Sequence, residues 1–145
     1  MRHYGYVHFA CHGLLGDGFQ SLVLSQVPGS KEDGYLTLGE IMNCDWSARL
    51  VVLSACQTGS GKIERGEGVT GLTRAVMYAG SPAAVVSLWS VSDAGTRDLM
   101  IRFYQNLLQK KLPNDEALRQ CKLAMLKGRE FSSPFFWSSF VMYGE

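Results

Sequence analysis

Val51-Val-Leu-Ser-Ala-Cys-Gln-Thr-Gly59 is the stretch on which the reading of this chain turns. It opens on apolar residues, passes through two small ones and ends in a cysteine, two polar residues and glycine. The unbroken Leu-Val-Val-Leu run lacks the polar alternation of a half-exposed strand. About Arg49 to Ser54 is therefore predicted to be a strand covered on both faces, delivering Cys56 to the mouth of a sheet. Tyr6-Val-His-Phe-Ala-Cys-His-Gly13 has the same design and ends in His12-Gly13. Two such strands side by side would bring Cys56 and His12 together at their carboxyl ends, where open α/β sheets place their sites.

Outward from these two stretches, the first strand is expected over roughly Tyr4 to Ala10. Alternation puts Val7, Phe9 and Cys11 on one face and His8, Ala10 and His12 on the other. A glycine-punctuated loop from Leu14 to Phe19 is expected next, then a short strand from Ser21 to Ser25. A turn follows at 28–34, and Tyr35 to Thr37 returns as the second arm of a hairpin. Thr37 or its neighbour starts a short helix, Leu38 to Met42. Gln57 to Gly68 reads as a polar, glycine-rich loop.

Val69, Leu72, Val76 and Ala79 recur at helical spacing and predict a helix from Glu67 to Ala79, stopped by Gly80. Ala83 to Trp89 is another continuous apolar strand. A long helix is expected from Ala94 to Lys111, with stripes Leu99/Phe103/Leu107 and Met100/Tyr104/Leu108 forming a wide buried face. Asn114 is expected to cap a helix from Asp115 to Lys127, closed by Gly128. The last strand covers about Ser138 to Tyr143. Strands alternating with helices imply an α/β fold with a mostly parallel sheet and helices on both faces.

Composition bounds the function classes. At 145 residues the chain fits a single domain, 1–145, with a sizeable core. It is 46% hydrophobic and 19% charged, which argues against disorder. A net charge of +1 gives no reason to expect nucleic acid or an anionic membrane as partner. No apolar run approaches the roughly 18 residues of a membrane span. The N-terminus lacks the order of a signal peptide, so a cytoplasmic protein is expected. Cys11, Cys44, Cys56 and Cys121 show no C-x-x-C spacing; neither a metal site, a cofactor nor a disulfide framework is indicated.

Three strand ends carry chemistry: Cys11-His-Gly13, Ala55-Cys-Gln57 and Leu88-Trp-Ser-Val-Ser-Asp93. A cysteine nucleophile reacts as the thiolate and needs a base or a depressed pKa. A histidine on the neighbouring strand supplies the base and later protonates a leaving amine. Gly13 would let the backbone turn sharply, so that its N–H and that of Cys56 face an oxyanion. A single cysteine at the end of a core strand is more often a small buried hydrophobe. Cys11, Cys44 and Cys121 are read that way. His8, two positions deeper than His12, is expected to be buried and hydrogen-bonded. Gly61-Lys62 resembles the tail of a phosphate loop, but Ile63 stands where a Ser or Thr is needed. Gly66 to Gly71 matches G-x-G-x-x-G without the preceding tight strand-to-helix turn.

With these residues in place, the sequence resembles a CHAT domain, the bacterial caspase-like module also related to separase. The resemblance rests on His8-Phe-Ala-Cys-His-Gly13, Leu53-Ser-Ala-Cys-Gln-Thr-Gly59, Gly66-Glu-Gly68 leading into Leu72-Thr-Arg-Ala75, and Leu88-Trp-Ser-Val-Ser-Asp93. The Phe103-Tyr104 helix and the close from Trp137 to Tyr143 also fit. It implies a caspase-like three-layer sandwich and a Cys-His dyad endopeptidase acting on protein or peptide substrates. His12 is then the general acid/base and Cys56 the nucleophile, with the backbone N–H groups of Gly13 and Cys56 as oxyanion hole.

Separase-like members carry Leu-Trp-Asp-Val-Thr-Asp where this chain has Leu88-Trp-Ser-Val-Ser-Asp93. That segment lines the pocket for the residue before the cut. The resemblance thus assigns substrate binding to Trp89, Ser90 and Asp93, and implies a basic residue (Arg or Lys) there, with Ser90 in place of the first acid. Asp93 alternatively caps the following helix. The family also implies two further strands and a helix before the histidine strand, and an upstream helical-repeat region or regulatory protein as partner. This chain is accordingly expected to be the C-terminal, dyad-bearing portion, with a sheet edge exposed beside the histidine strand. A non-catalytic interaction or scaffold module is the competing reading, and acyl transfer other than proteolysis a third.

Overall fold

A computed structural model describes residues 4–16, 19–54, 56–57 and 67–144. The main sheet has four strands: β1 (Tyr6–Phe9), β5 (Leu50–Leu53), β7 (Ala83–Ser87) and β8 (Phe140–Gly144), side by side in that order. β1, β5 and β7 run parallel and β8 antiparallel. A second, smaller sheet continues from the carboxyl ends of the first two strands. It consists of β2 (His12–Gly16), β3 (Phe19–Val23), β4 (Tyr35–Thr37) and β6 (Cys56–Gln57), in the order β4-β3-β2-β6. The chain is thus mixed α/β with a mostly parallel four-stranded sheet, and helices pack on both faces of that sheet.

The unbroken apolar runs explain the layering. Leu50, Val52, Ala83 and Val85 join one buried cluster, with Leu99, Met100, Phe103, Leu107, Leu118 and Met125 from the helices on that side. Val51, Leu53, Ala84 and Val86 join the other, with Ile41, Leu72, Ala75 and Val76. Every residue of β5 and β7 is buried. Each fully buried Val or Leu contributes about 1.5–3 kcal/mol of transfer free energy, so both faces are needed to hold the central strands. α1 (Leu38–Asn43) and α2 (Glu67–Tyr78) cover one face; α3 (Asp93–Tyr104), α4 (Asn114–Lys127) and the short α5 (Pro134–Trp137) cover the other. Thr37 starts α1 with a capping box: its Oγ1 accepts from the Glu40 amide, and the Glu40 carboxylate accepts from the Thr37 amide at 2.8 Å. Gly80, at φ +110°, ends the α2 region in a conformation that favours glycine.

Several expectations change. The stretch expected to loop from Leu14 to Phe19 begins as strand: β2 pairs antiparallel with β3, His12 opposite Val23 and Gly16 opposite Phe19. Glycine in an extended strand costs entropy but does not forbid the ladder. The first strand is shorter than Tyr4 to Ala10, and β3 ends at Val23 rather than Ser25. β7 stops at Ser87, whose hydroxyl donates to the Trp89 carbonyl at 2.7 Å and curls the chain out of the sheet.

The long helix is α-helical only to Tyr104; Gln105–Gln109 forms a π-helical turn. Buried Asn106 accounts for its register by donating from Nδ2 to the Ala117 carbonyl of α4 at 3.2 Å, while Lys110 Nζ donates to Oδ1 at 2.8 Å. A wider turn shifts the angular positions of the residues within it, and Leu108 there points to solvent rather than into the wide face expected. Asn114 is the first residue of α4, not its cap; Pro113 holds the cap position. The loop expected from Gln57 to Gly68, and with it Gly61-Lys62, lies mostly outside the described residues. Within the Gly66 to Gly71 match, positions 67–71 are helical.

Candidate active site

The positions of His12 and Cys56 follow from the register of the sheets. Tyr6 to Phe9 pair in parallel with Leu50 to Leu53, partners being 44 positions apart throughout. That ladder extends beyond both strands: the Arg49 amide donates to Gly5 O, and the Ser54 amide to Phe9 O, each at 2.9 Å. After the short break that follows Phe9 and Leu53, β2 and β6 resume the pairing with the same 44-residue offset, His12 opposite Cys56 and Gly13 opposite Gln57. Adjacent strands lie about 4.8 Å apart. The backbones of His12 and Cys56 are therefore neighbours at the carboxyl ends of β1 and β5.

Gly13 does not turn the chain. It is buried inside β2, between Leu22 of β3 and Gln57 of β6. The expected sharp turn gives way to a continued strand because β3 supplies a hydrogen-bonding partner.

An open cleft of about 420 Å³ lies beside His12. One wall comes from the first strand and its continuation, with His8, Ala10, Cys11 and His12, and Ser54 lines it beside them. The opposite wall is one stripe of α3: Asp93, Thr96, Arg97 and Met100. Spacing of three, four and seven residues from Asp93 keeps these on one helical face.

Asp93 is not the cap of its helix. Ser92 takes that position, its Oγ accepting from the Gly95 amide at 3.3 Å. Asp93 is the first helical residue, where a carboxylate also complements the helix dipole. Among the described residues, neither Asp93 nor Arg97 takes part in an ion pair, and both are exposed. Gly95 sets the helix close to α5, since an added Cβ would lie 2.8 Å from the Phe136 ring.

Trp89 and Ser90 lie elsewhere. The Trp89 indole N–H donates to the Phe135 carbonyl at 3.1 Å, and its side chain sits against α5, half exposed. Ser90 is exposed in the connection between β7 and α3. Neither lines the cleft.

His8 is hydrogen-bonded as expected but not buried. Its Nδ1 lies 3.0 Å from the Tyr104 hydroxyl, and the two rings tilt together at 5.7 Å between centroids. It keeps contact with solvent in the cleft, yet enough protein surrounds it that desolvation lowers its pKa. Burial pushes the Tyr104 phenol up to about 12, so it stays protonated. Cys11 faces the apolar cluster of Val7 and Phe9, and burial raises its thiol pKa. Cys121 is fully buried with its thiol pushed up to about 12, and Cys44 ends α1. The thiol form these surroundings favour makes Cys11 and Cys121 poor nucleophiles.

Thr96 and Arg97 belong to no motif that sequence reasoning picks out, and Tyr104 enters only as part of a helix that fits the resemblance, with no role assigned. A signal for the first two exists: they lie one turn beyond Asp93 on a helix whose start is legible. Tyr104 falls on a stripe expected to be buried, and no sequence pattern ties it to His8, 96 positions away.

Among the described residues no group of three or more His, Cys, Asp and Glu is placed to hold a metal ion, and no helix is long and apolar enough to cross a membrane. The chain is 31% identical over 109 residues to mouse tetratricopeptide repeat protein 28, covering 75% of this chain and 4% of that protein. The human protein of the same name is 32% identical over 109 residues, with the same coverage. The chain thus spans about 4% of the length of these curated relatives. Both relatives are mammalian, which lends nothing to the bacterial association of the resemblance. The sequence model of the CHAT domain matches residues 1–145, end to end. The pairing of the histidine and cysteine strands, the cleft beside them and this match agree: the chain belongs to the CHAT domain family, a caspase-like family.

Proposed function

We propose that this chain is a cysteine endopeptidase domain of the caspase-like sandwich type, with Cys56 as nucleophile and His12 as general acid/base. The observation that carries the proposal is the parallel pairing of β2 with β6, which sets His12, a residue of the cleft wall, opposite Cys56. The thiolate of Cys56 attacks the scissile carbonyl carbon, giving a tetrahedral oxyanion stabilised by the backbone N–H group of Cys56. Collapse breaks the C–N bond, and the His12 imidazolium gives its proton to the leaving amine. Neutral His12 then takes a proton from water, whose oxygen attacks the thioester. The acid product leaves and the thiolate–imidazolium pair is restored.

Asp93, on the opposite wall, accepts from a donor-bearing side chain of the residue before the cut. No metal or cofactor takes part. The substrates are proteins or peptides, and the names of the relatives support a helical-repeat region as the partner that presents or regulates the domain.

A peptide bearing a thiol-directed electrophile tests the proposal. Covalent labelling at Cys56, abolished in Cys56→Ala and reduced by about two orders of magnitude or more in His12→Ala, is the expected result. A folded chain that is never labelled, or is labelled equally well at Cys11 or Cys44, refutes it.

A further inference from the structure

The wall facing His12 carries two opposite charges, not one. Asp93 and Arg97 lie on the same face of α3, one turn apart, and both line the cleft. Residues at this spacing have Cβ atoms about 5–6 Å apart. Facing charges so placed often close into an ion pair; Asp98 and Arg102, on the same helix with the same spacing, do so at 2.8 Å. Asp93 and Arg97 do not, and among the described residues neither is engaged elsewhere by an ion pair. The cleft therefore presents a separated acceptor and donor, with the Thr96 hydroxyl beside them.

Such a wall is poorly matched to an ammonium or guanidinium, which Asp93 attracts and Arg97 repels. A carboxylate meets the reverse conflict. A carboxamide satisfies both groups without net charge: its NH₂ donates to the Asp93 carboxylate and its C=O accepts from the Arg97 guanidinium. We propose that Arg97 is a specificity determinant that, with Asp93, selects peptides carrying Gln or Asn at the position facing α3. This rests on the peptidase reading for its substrate class, but the recognition it describes is separable from cleavage.

The test uses peptide libraries that fix Gln, Asn, Arg, Lys, Glu or Ala at the position before the cut, with mixtures elsewhere. Cleavage is read with the native chain, and binding to the same peptides on an array with the Cys56→Ala chain. The native chain is expected to favour Gln and Asn over Ala and not to favour Arg over Gln. Arg97→Gln is expected to raise the Arg-to-Gln ratio about fivefold, the effect of one solvent-exposed charge. Arg97→Lys keeps the charge and should hold that ratio near its native value. Asp93→Asn should lower the ratio and relieve discrimination against Glu.

A native preference for Arg or Lys that Arg97→Gln leaves unchanged overturns the proposal, as does equal use of Gln and Ala. Arg97-dependent selection on the array without cleavage supports this inference and refutes the peptidase. Cleavage with no response to Arg97 does the opposite. Neither binding nor cleavage refutes both.

Discussion

The separation of cap and carboxylate at the start of α3 gives a direct test of how the charged wall is built. Ser92 supplies the cap through a single 3.3 Å bond to the Gly95 amide, long for a hydrogen bond to a hydroxyl oxygen. Removing a serine cap costs about 1 kcal/mol in typical cases. Unfolding entropy near 2.1 cal/mol/K per residue gives about 0.3 kcal/mol/K for 145 residues. Ser92→Ala should thus lower Tm by about 3 °C in a circular-dichroism melt, and Ser92→Asp should restore most of it. Asp93→Asn removes only a charge from the exposed first turn, worth about 0.3–0.5 kcal/mol at low salt, or about 1–2 °C. Added salt should erase the Asp93 effect and leave the Ser92 effect standing, because only the first is a screened charge–dipole interaction. If Asp93→Asn proves the more damaging change in high salt, Asp93 is the cap, and its carboxylate is not available to the cleft as argued.

Phe103 is fully buried between α3 and the sheet; Phe103→Ala should cost about 3–5 kcal/mol, a Tm loss of about 10 °C or more, and a loss under about 3 °C would contradict the core described. His8, held below its ordinary value of 6.5, makes the unfolded chain the better proton binder in acid. Its contribution is therefore lost as pH falls through about 6.5 and stops changing once the folded-state imidazole is also protonated. Urea midpoints at pH 7.5 and 5.5 should converge in His8→Gln relative to the native chain, and an unchanged difference would refute the assignment.

The legible part of the fold is its centre. Leu50 to Leu53 and Ala83 to Val86 have one chemical character on both faces, so burial in a parallel sheet is the only economical reading. The helices over Glu67 and Asp93 announce themselves by period, the first also by the glycine at its end; the serine that caps the second is seen only in the structure. What escapes the sequence is pairing between segments without a pattern of their own. His12 to Gly16 carries two glycines and too few apolar residues to read as a strand; it is one because Phe19 to Val23 folds back on it. The π-helical turn likewise depends on where Asn106 meets the Ala117 carbonyl of another helix, a contact no local periodicity encodes. The facing of His12 and Cys56 is legible because each sits at the same offset from a strong strand. The second charge on the wall is hidden because the Leu88 to Asp93 motif ends one turn short of Arg97.

The two halves of the cleft are held by different forces. The His12–Cys56 register descends from the main ladder, since the 44-residue offset set by Tyr6 and Leu50 is the one that recurs at His12 and Cys56. A one-residue slip of β5 against β1 would exchange Leu50 and Val52 with Val51 and Leu53, turning each pair toward the layer that packs the other. With both layers closely packed, that exchange is prohibitive, and the His12–Cys56 register is as secure as the core itself. The opposing wall has no backbone ladder. Asp93, Thr96 and Arg97 stand on α3, positioned by its side-chain packing, by Gly95 against Phe136 and by the Tyr104–His8 bond to β1. On the proposed peptidase reading, changes in α3 packing should therefore alter which peptides are selected before they alter the alignment of His12 with Cys56. The charged wall and the His12–Cys56 register can then vary independently on one scaffold, and the Tyr104–His8 bond is where α3 meets β1.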